Sequence, residues 1–152
     1  MQALDRTFTY RLHVLHKLTD LQTQKAFEET SGLSLSDSRA LSVIGAFGPL
    51  SVNDLASRAN LHKGPASRAA QALVGRKLVS KNVHQNDARG VILSLTLKGR
   101  KVFDQIIQIV AERNKQITKD LNALEIDQLN GLIDRLIETA EHTAQNSLET
   151  PP

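Results

Sequence analysis

A chain of 152 residues without cysteine has room for one compact domain with its own core, and no route to disulfides, thiolate chemistry or cysteine zinc sites. No stretch approaches the roughly 18 consecutive apolar residues of a membrane span, and the first residues lack the order of a secretory leader, so a cytoplasmic protein with no membrane partner is expected. The net charge of +3 is unevenly spread: from Arg58 to Lys101 ten basic residues face one acidic residue, Asp87, giving +9, and the remainder carries −6. A solvated face mixes signs, so a one-sided block within a folded segment points to a polyanionic partner.

In chain order, the first expected element is an amphipathic helix over about 6–30. Phe8, Leu12, Leu15, Leu18, Leu21 and Phe27 recur at three- and four-residue steps along it, and Ser31-Gly32 breaks it. Ser34 and Asp37 have the spacing of a helix-start capping box, and Leu41, Ile44 and Phe47 give the second helix its apolar face, up to Gly48-Pro49. Ser51 and Asp54 repeat the box before a short stripe of Val52, Leu55, Ala56 and Ala59. After the break at Asn60-Leu61 a fourth helix opens near Lys63 to Pro65, with proline expected at its first position. Ala66, Ala69, Ala70 and Leu73 supply its inner face, leaving Lys63, Ser67, Arg68 and Gln71 outward.

Past Lys77 the period changes to alternation. Residues 78–84 and 91–95 read as two strands of a hairpin, with residues 85–90 as its polar, arginine-bearing tip. Thr96 can cap a fifth helix reaching about Leu121, and Asn122, with Glu125 three residues on, can cap a sixth whose face is Leu129, Leu132, Ile133, Leu136 and Ile137. Residues 147–152 read as a flexible tail. The fold class is therefore mainly α with a small β-hairpin.

A short helix, a tight turn and a second helix with a polar outer face make a helix-turn-helix, whose second helix has the width to enter a DNA major groove. A hairpin with arginine at its tip can reach the adjacent minor groove, where the negative potential attracts that side chain. The alanine stripe and polar face of that second helix, and the hairpin, all lie inside the +9 block.

The segment Gly48-Pro-Leu-Ser-Val-Asn-Asp-Leu-Ala56, then Leu61-His-Lys-Gly-Pro-Ala-Ser-Arg68, then Asp87-Ala-Arg-Gly90 with Leu95-Thr96 and Gly99-Arg100 resembles the MarR (multiple antibiotic resistance regulator) family of bacterial transcription factors. The resemblance runs from about Phe8 to Ile137, and its D-x-R wing motif is the most specific part. It implies a winged helix-turn-helix over about 34–101, inside a single domain of residues 1–146 whose helices 6–30 and 97–146 intertwine with those of a second copy. It also implies that Arg89 enters the minor groove, that Asp87 holds the wing, and that Lys63, Ser67 and Arg68, with Gln71, face the major groove. Such a homodimer would bind a pseudo-palindromic operator in double-stranded DNA, most often as a repressor. Where the family has glycine at the helix-to-hairpin junction this chain has Lys77, so the turn is either strained or closed differently.

Family members commonly release DNA on binding a small aromatic or phenolic acid between the dimer helices and the DNA-binding lobe. Tyr10, Arg11, His13 and Arg39 are the candidates to line such a pocket, since an arginine fork matches a carboxylate. Arg11 and Arg39 equally fit structural ion pairs, with Asp20 and Asp37 as partners. His13 and His16 sit three apart on a helix, but with no third ligand they read as ordinary histidines, and no metal or cofactor is expected. No phosphate loop, H-E-x-x-H or G-x-S-x-G occurs, so an enzyme is not expected. The competing reading is a helical scaffold, or a nucleoid-type DNA-binding protein without ligand response.

Overall fold

A computed structural model describes residues 3–83 and 90–149, with side chains through residue 145. After a 3₁₀ turn at Leu4–Arg6 come α1 (Phe8–Ser31), α2 (Leu35–Phe47), β1 (Leu50–Ser51), α3 (Val52–Arg58), α4 (Lys63–Gly75), β2 (Val79–Val83), β3 (Val91–Leu95), α5 (Leu97–Ile117) and α6 (Ala123–Glu149). Met1–Arg113 forms one compact unit and Asn114–Pro152 a second. Helix α6 continues to Glu149, beyond the point at which the sequence suggested a tail.

The helix boundaries follow from side chains at their ends. Gly32 closes α1 at φ 64°, a left-handed conformation that costs glycine nothing, and its N–H donates to the Glu28 carbonyl. Ser34 Oγ accepts the Asp37 N–H at the start of α2. At α3 the box is reciprocal: Ser51 Oγ accepts the Asp54 N–H, and the Asp54 carboxylate accepts the Ser51 N–H. Asn122 and Glu125 form the same reciprocal pair before α6, and Thr96 Oγ1 accepts the Gly99 N–H at the start of α5. Pro65 falls at the third residue of α4 rather than the first, because the helix already opens at Lys63.

The two helices of the central motif end in the same way. Asn60 follows α3 at φ 53° and Lys77 follows α4 at φ 60°. In each case the N–H one residue beyond reaches back to a carbonyl in the last turn, Leu61 to Ala56 at 2.9 Å and Leu78 to Leu73 at 3.0 Å. The left-handed residues themselves donate to Ser57 and Val74. These are paired Schellman closures. The Lys77 junction therefore keeps the left-handed geometry that glycine would provide, and holds a lysine in it.

The wing is three-stranded rather than a simple hairpin. β3 lies between β1 and β2, antiparallel to both, with Leu50 and Lys81 both opposite Leu93. Strand β1 has only two residues, too few to show an alternating pattern, and its Ser51 doubles as the cap of α3. The core collects Phe27, Leu33, Leu41, Ile44, Leu55, Leu73, Leu93 and Ile106, so helix α4 and the wing are seated on α2 and on the ends of α1 and α5. Arg113 joins α5 to α1 through a 2.6 Å bond to Gln22. Among the described residues no helix is long and apolar enough to cross a membrane.

Candidate nucleic-acid interface

Helix α4 is built to lie close to its support and to present polar groups outward. Ala66, Ala69 and Ala70 are almost wholly buried, and their methyl groups let the helix approach α2 and α3, while Leu73 fills the space beneath. Lys63, Arg68 and Gln71 are exposed and Ser67 is half-buried. The Arg68 guanidinium reaches back along the helix, so that a Cβ added at Gly64 would stand 3.5 Å from Nη1. Lys63 and Arg68 thus place two cations around the first turn of α4, whose His62 cap makes no side-chain bond. The first-turn N–H groups and these cations act in the same sense on an approaching anion.

Toward the wing, Ser67 and Gln71 line a cleft of about 260 Å³ together with Val52, Ala70, Val74 and Lys81. Lys81 was counted in the basic block but not singled out by sequence reasoning. Val79, Lys81 and Val83 share one strand face, and cross-strand pairing with buried Leu93, which no local signal gives, turns Lys81 toward α4. Asp87 and Arg89, the wing-motif residues, lie outside the described residues. A further cation missed by sequence reasoning is Arg58, whose guanidinium stacks 4.7 Å from the centre of the Phe47 ring at the end of α3.

The residues considered for a small acid do not form one group. Tyr10 and His13 line an open cleft of about 420 Å³ along α1, with Leu4, Thr9, Val14 and Lys17. Arg11 is exposed and is not part of that lining. Arg39 Nη2 lies 2.7 Å from Asp20 Oδ1, tying α2 to α1, and the other Asp20 oxygen is 3.3 Å from His16 Nε2. Among the described residues no group of three or more His, Asp or Glu is arranged to hold a metal ion.

Comparison with known proteins agrees with this geometry. The MarR family model matches residues 31–90, from the end of α1 to the wing. The HTH-type transcriptional regulator BilQ of Clostridium symbiosum is 26% identical over 138 residues, covering 91% of this chain and 95% of that protein. A MarR/EmrR family transcriptional regulator from Acinetobacter sp. ADP1 superposes with a TM-score of 0.85 at 25% identity, covering 93% of this chain and 99% of that one. The same fold, at 21% identity and a TM-score of 0.79, is found in a mutant MarR from E. coli complexed with operator DNA, over 89% of this chain and 99% of that one. It recurs at 16% identity and a TM-score of 0.81 in Bordetella bronchiseptica BpsR, whose DNA binding is regulated by 6-hydroxynicotinic acid, over 90% of this chain and 96% of that one. Residues 31–90 thus match the MarR family, and over most of its length the chain is similar to helix-turn-helix transcriptional regulators.

Proposed function

We propose that the protein is a cytoplasmic, homodimeric repressor that holds a pseudo-palindromic operator and lets it go when a small aromatic or phenolic acid binds. The observation that carries the reading is the two-sidedness of α4, with alanines buried beneath and Lys63, Ser67, Arg68 and Gln71 turned out of the basic lobe. Arg68 reads base edges in the major groove, where its fork can bond one guanine twice. Lys63 meets backbone phosphate, Ser67 and Gln71 line the groove-facing side near the wing, and Arg89 enters the minor groove with Asp87 steadying it.

Self-association is supported by the apolar stripes of the terminal helices. Phe8, Leu12, Leu15 and Leu21 on α1, and Leu132, Leu136 and Ile137 on α6, are each about half exposed, and a second copy would cover them. For the acid, Tyr10 and His13 offer an aromatic and a hydrogen-bonding wall, and Lys17 beside them supplies the cation. Arg11 on the same helix is a second cation within the reading, whereas Arg39 would have to leave Asp20 to take part. The reading is supported by BpsR, a protein of the same fold whose DNA binding is regulated by 6-hydroxynicotinic acid.

The test is fluorescence anisotropy with a duplex selected by the protein from a random pool, titrated at several salt concentrations and then with aromatic carboxylates. Affinity should fall steeply with salt, with a log–log slope of about −0.9 for each phosphate neutralised. Arg68→Ala should relax discrimination at defined base pairs by about 1–3 kcal/mol. A shallow salt slope rejects the operator reading, and full retention of DNA under every aromatic acid tried rejects the release step.

A further inference from the structure

Helix α4 rests on its buried alanines along its length, but its hydrogen-bonded ties to other elements lie at one end. Its first turn has no side-chain cap, while its last turn and the residues just after it are bonded to two other elements. Arg76 Nη1 donates to the Gly32 carbonyl at 2.8 Å, joining the end of α4 to the end of α1. Lys98 Nζ, from the first turn of α5, donates to the Arg76 carbonyl at 3.2 Å. Thr96 Oγ1 lies 2.8 Å from the Lys77 carbonyl, and the Thr96 N–H donates to that of Leu78. Gly99 presses against the Leu78 carbonyl so closely that a Cβ there would overlap it. Of these ties, Arg76 alone runs to α1, 44 residues away in sequence.

We propose that Arg76 is a positioning residue for DNA recognition, fixing the tilt of α4 against α1 and thereby the separation of the two recognition helices in the dimer. The inference rests on the dimeric-operator reading above. Its lever arm sets the scale: 13 residues make a helix about 20 Å long. A swing of about 10° about the Arg76 end moves the Lys63 end by about 3 Å, close to the ~3.4 Å rise of one base pair. The side chain is well placed for this work, because its guanidinium also meets the negative end of the α1 dipole at Gly32. It needs no contact with DNA to act.

The experiment measures affinity for the selected operator and for versions with one or two base pairs inserted or deleted between the half-sites. Wild type should discriminate against the altered spacings by about tenfold or more. In Arg76→Gln that discrimination should collapse to about threefold or less, with an unchanged salt slope, sedimentation and melting temperature. Lys98→Gln, which loosens the same helix end from another side, should weaken the discrimination in the same direction and keeps the test available if Arg76→Gln does not fold. Unchanged spacing preference in both variants overturns the assignment. So does a uniform loss of affinity with the salt slope reduced by about one, which is the mark of a phosphate contact. Wild-type protein without any spacing preference overturns the dimeric-operator reading itself, and this inference with it.

Discussion

The DNA-binding lobe and the terminal helices bury their apolar residues in opposite ways. Among the described residues, the fully buried apolar side chains run from Phe27 to Ile106 and none lies on α6. The large exposed ones cluster at Leu4 to Leu21 and again from Ile107 to Ile137. On α6, Leu129, Leu132, Ile133, Leu136 and Ile137 repeat at the steps of a helical seam and are all at least 40% exposed, which is far from the state such a stripe reaches in a finished core. The lobe satisfies its hydrophobic pattern within one chain, whereas the terminal helices carry a pattern that one chain leaves open. Under the proposed dimer, information for recognition and information for assembly are written in different segments, with α5 belonging to both.

The comparison predicts that charge placed on the open stripe attacks assembly and spares the lobe. Leu132→Glu combined with Leu136→Glu puts four like charges into the proposed two-fold seam, and an uncompensated buried charge costs about 3–5 kcal/mol. The dissociation constant of the dimer should therefore rise by at least about 1,000-fold in sedimentation, at ~1.4 kcal/mol for each factor of ten. A dimer that persists would show that the α6 stripe is covered by something other than a second copy. Loss of all cooperative melting would show that the lobe is not self-sufficient, and would break the contrast drawn above.

A smaller effect is expected where the lobe is closed. Leu73 is fully buried under α4, and Leu73→Ala leaves a cavity in a place the alanine-lined helix cannot collapse into. It should lower the unfolding free energy by about 2–4 kcal/mol in urea titrations at fixed protein concentration. Because α4 would lose its seat, affinity for DNA should fall with it, although Leu73 faces away from any duplex. A stability loss below ~1 kcal/mol would mean that the lobe is less tightly packed than its burial indicates.

Much of this was legible in the sequence because its signals are local. Ser51 with Asp54 and Asn122 with Glu125 name the helix starts, and the alanine spacing of α4 separates its inner from its outer face. The features that escaped depend on partners far away in the chain. Leu50 and Ser51 become a strand only because β3 passes beside them, and Lys81 becomes part of the groove wall only through its register with Leu93. The pairing of Arg39 with Asp20 was foreseeable as one option among several, since nothing local distinguishes an ion-paired arginine from one waiting for a carboxylate. The Arg76 tie to Gly32 has no sequence signal at all, because its acceptor is a backbone carbonyl that every residue type carries.

The smallest predicted effect concerns the two helix ends of the lobe, which make a controlled pair. Asn60 and Lys77 occupy the same left-handed position of the same closure, with matching backbone bonds. Asparagine tolerates that conformation through its short polar side chain, whereas lysine bears a cost of about 1 kcal/mol or more from its Cβ. Glycine would remove the cost, but it gives back about 0.5–1 kcal/mol by loosening the unfolded chain. Lys77→Gly should therefore stabilise the lobe by about 0.5 kcal/mol, and Asn60→Gly should be neutral or slightly destabilising. The quantity to measure is the difference between the two variants in denaturant midpoint at constant slope, since the closures are alike and the difference isolates the residue. If Lys77→Gly proves the less stable of the two, the lysine side chain contributes more at the junction than its backbone strain removes. The glycine expected there by family resemblance would then have been exchanged for a gain in stability rather than at a cost.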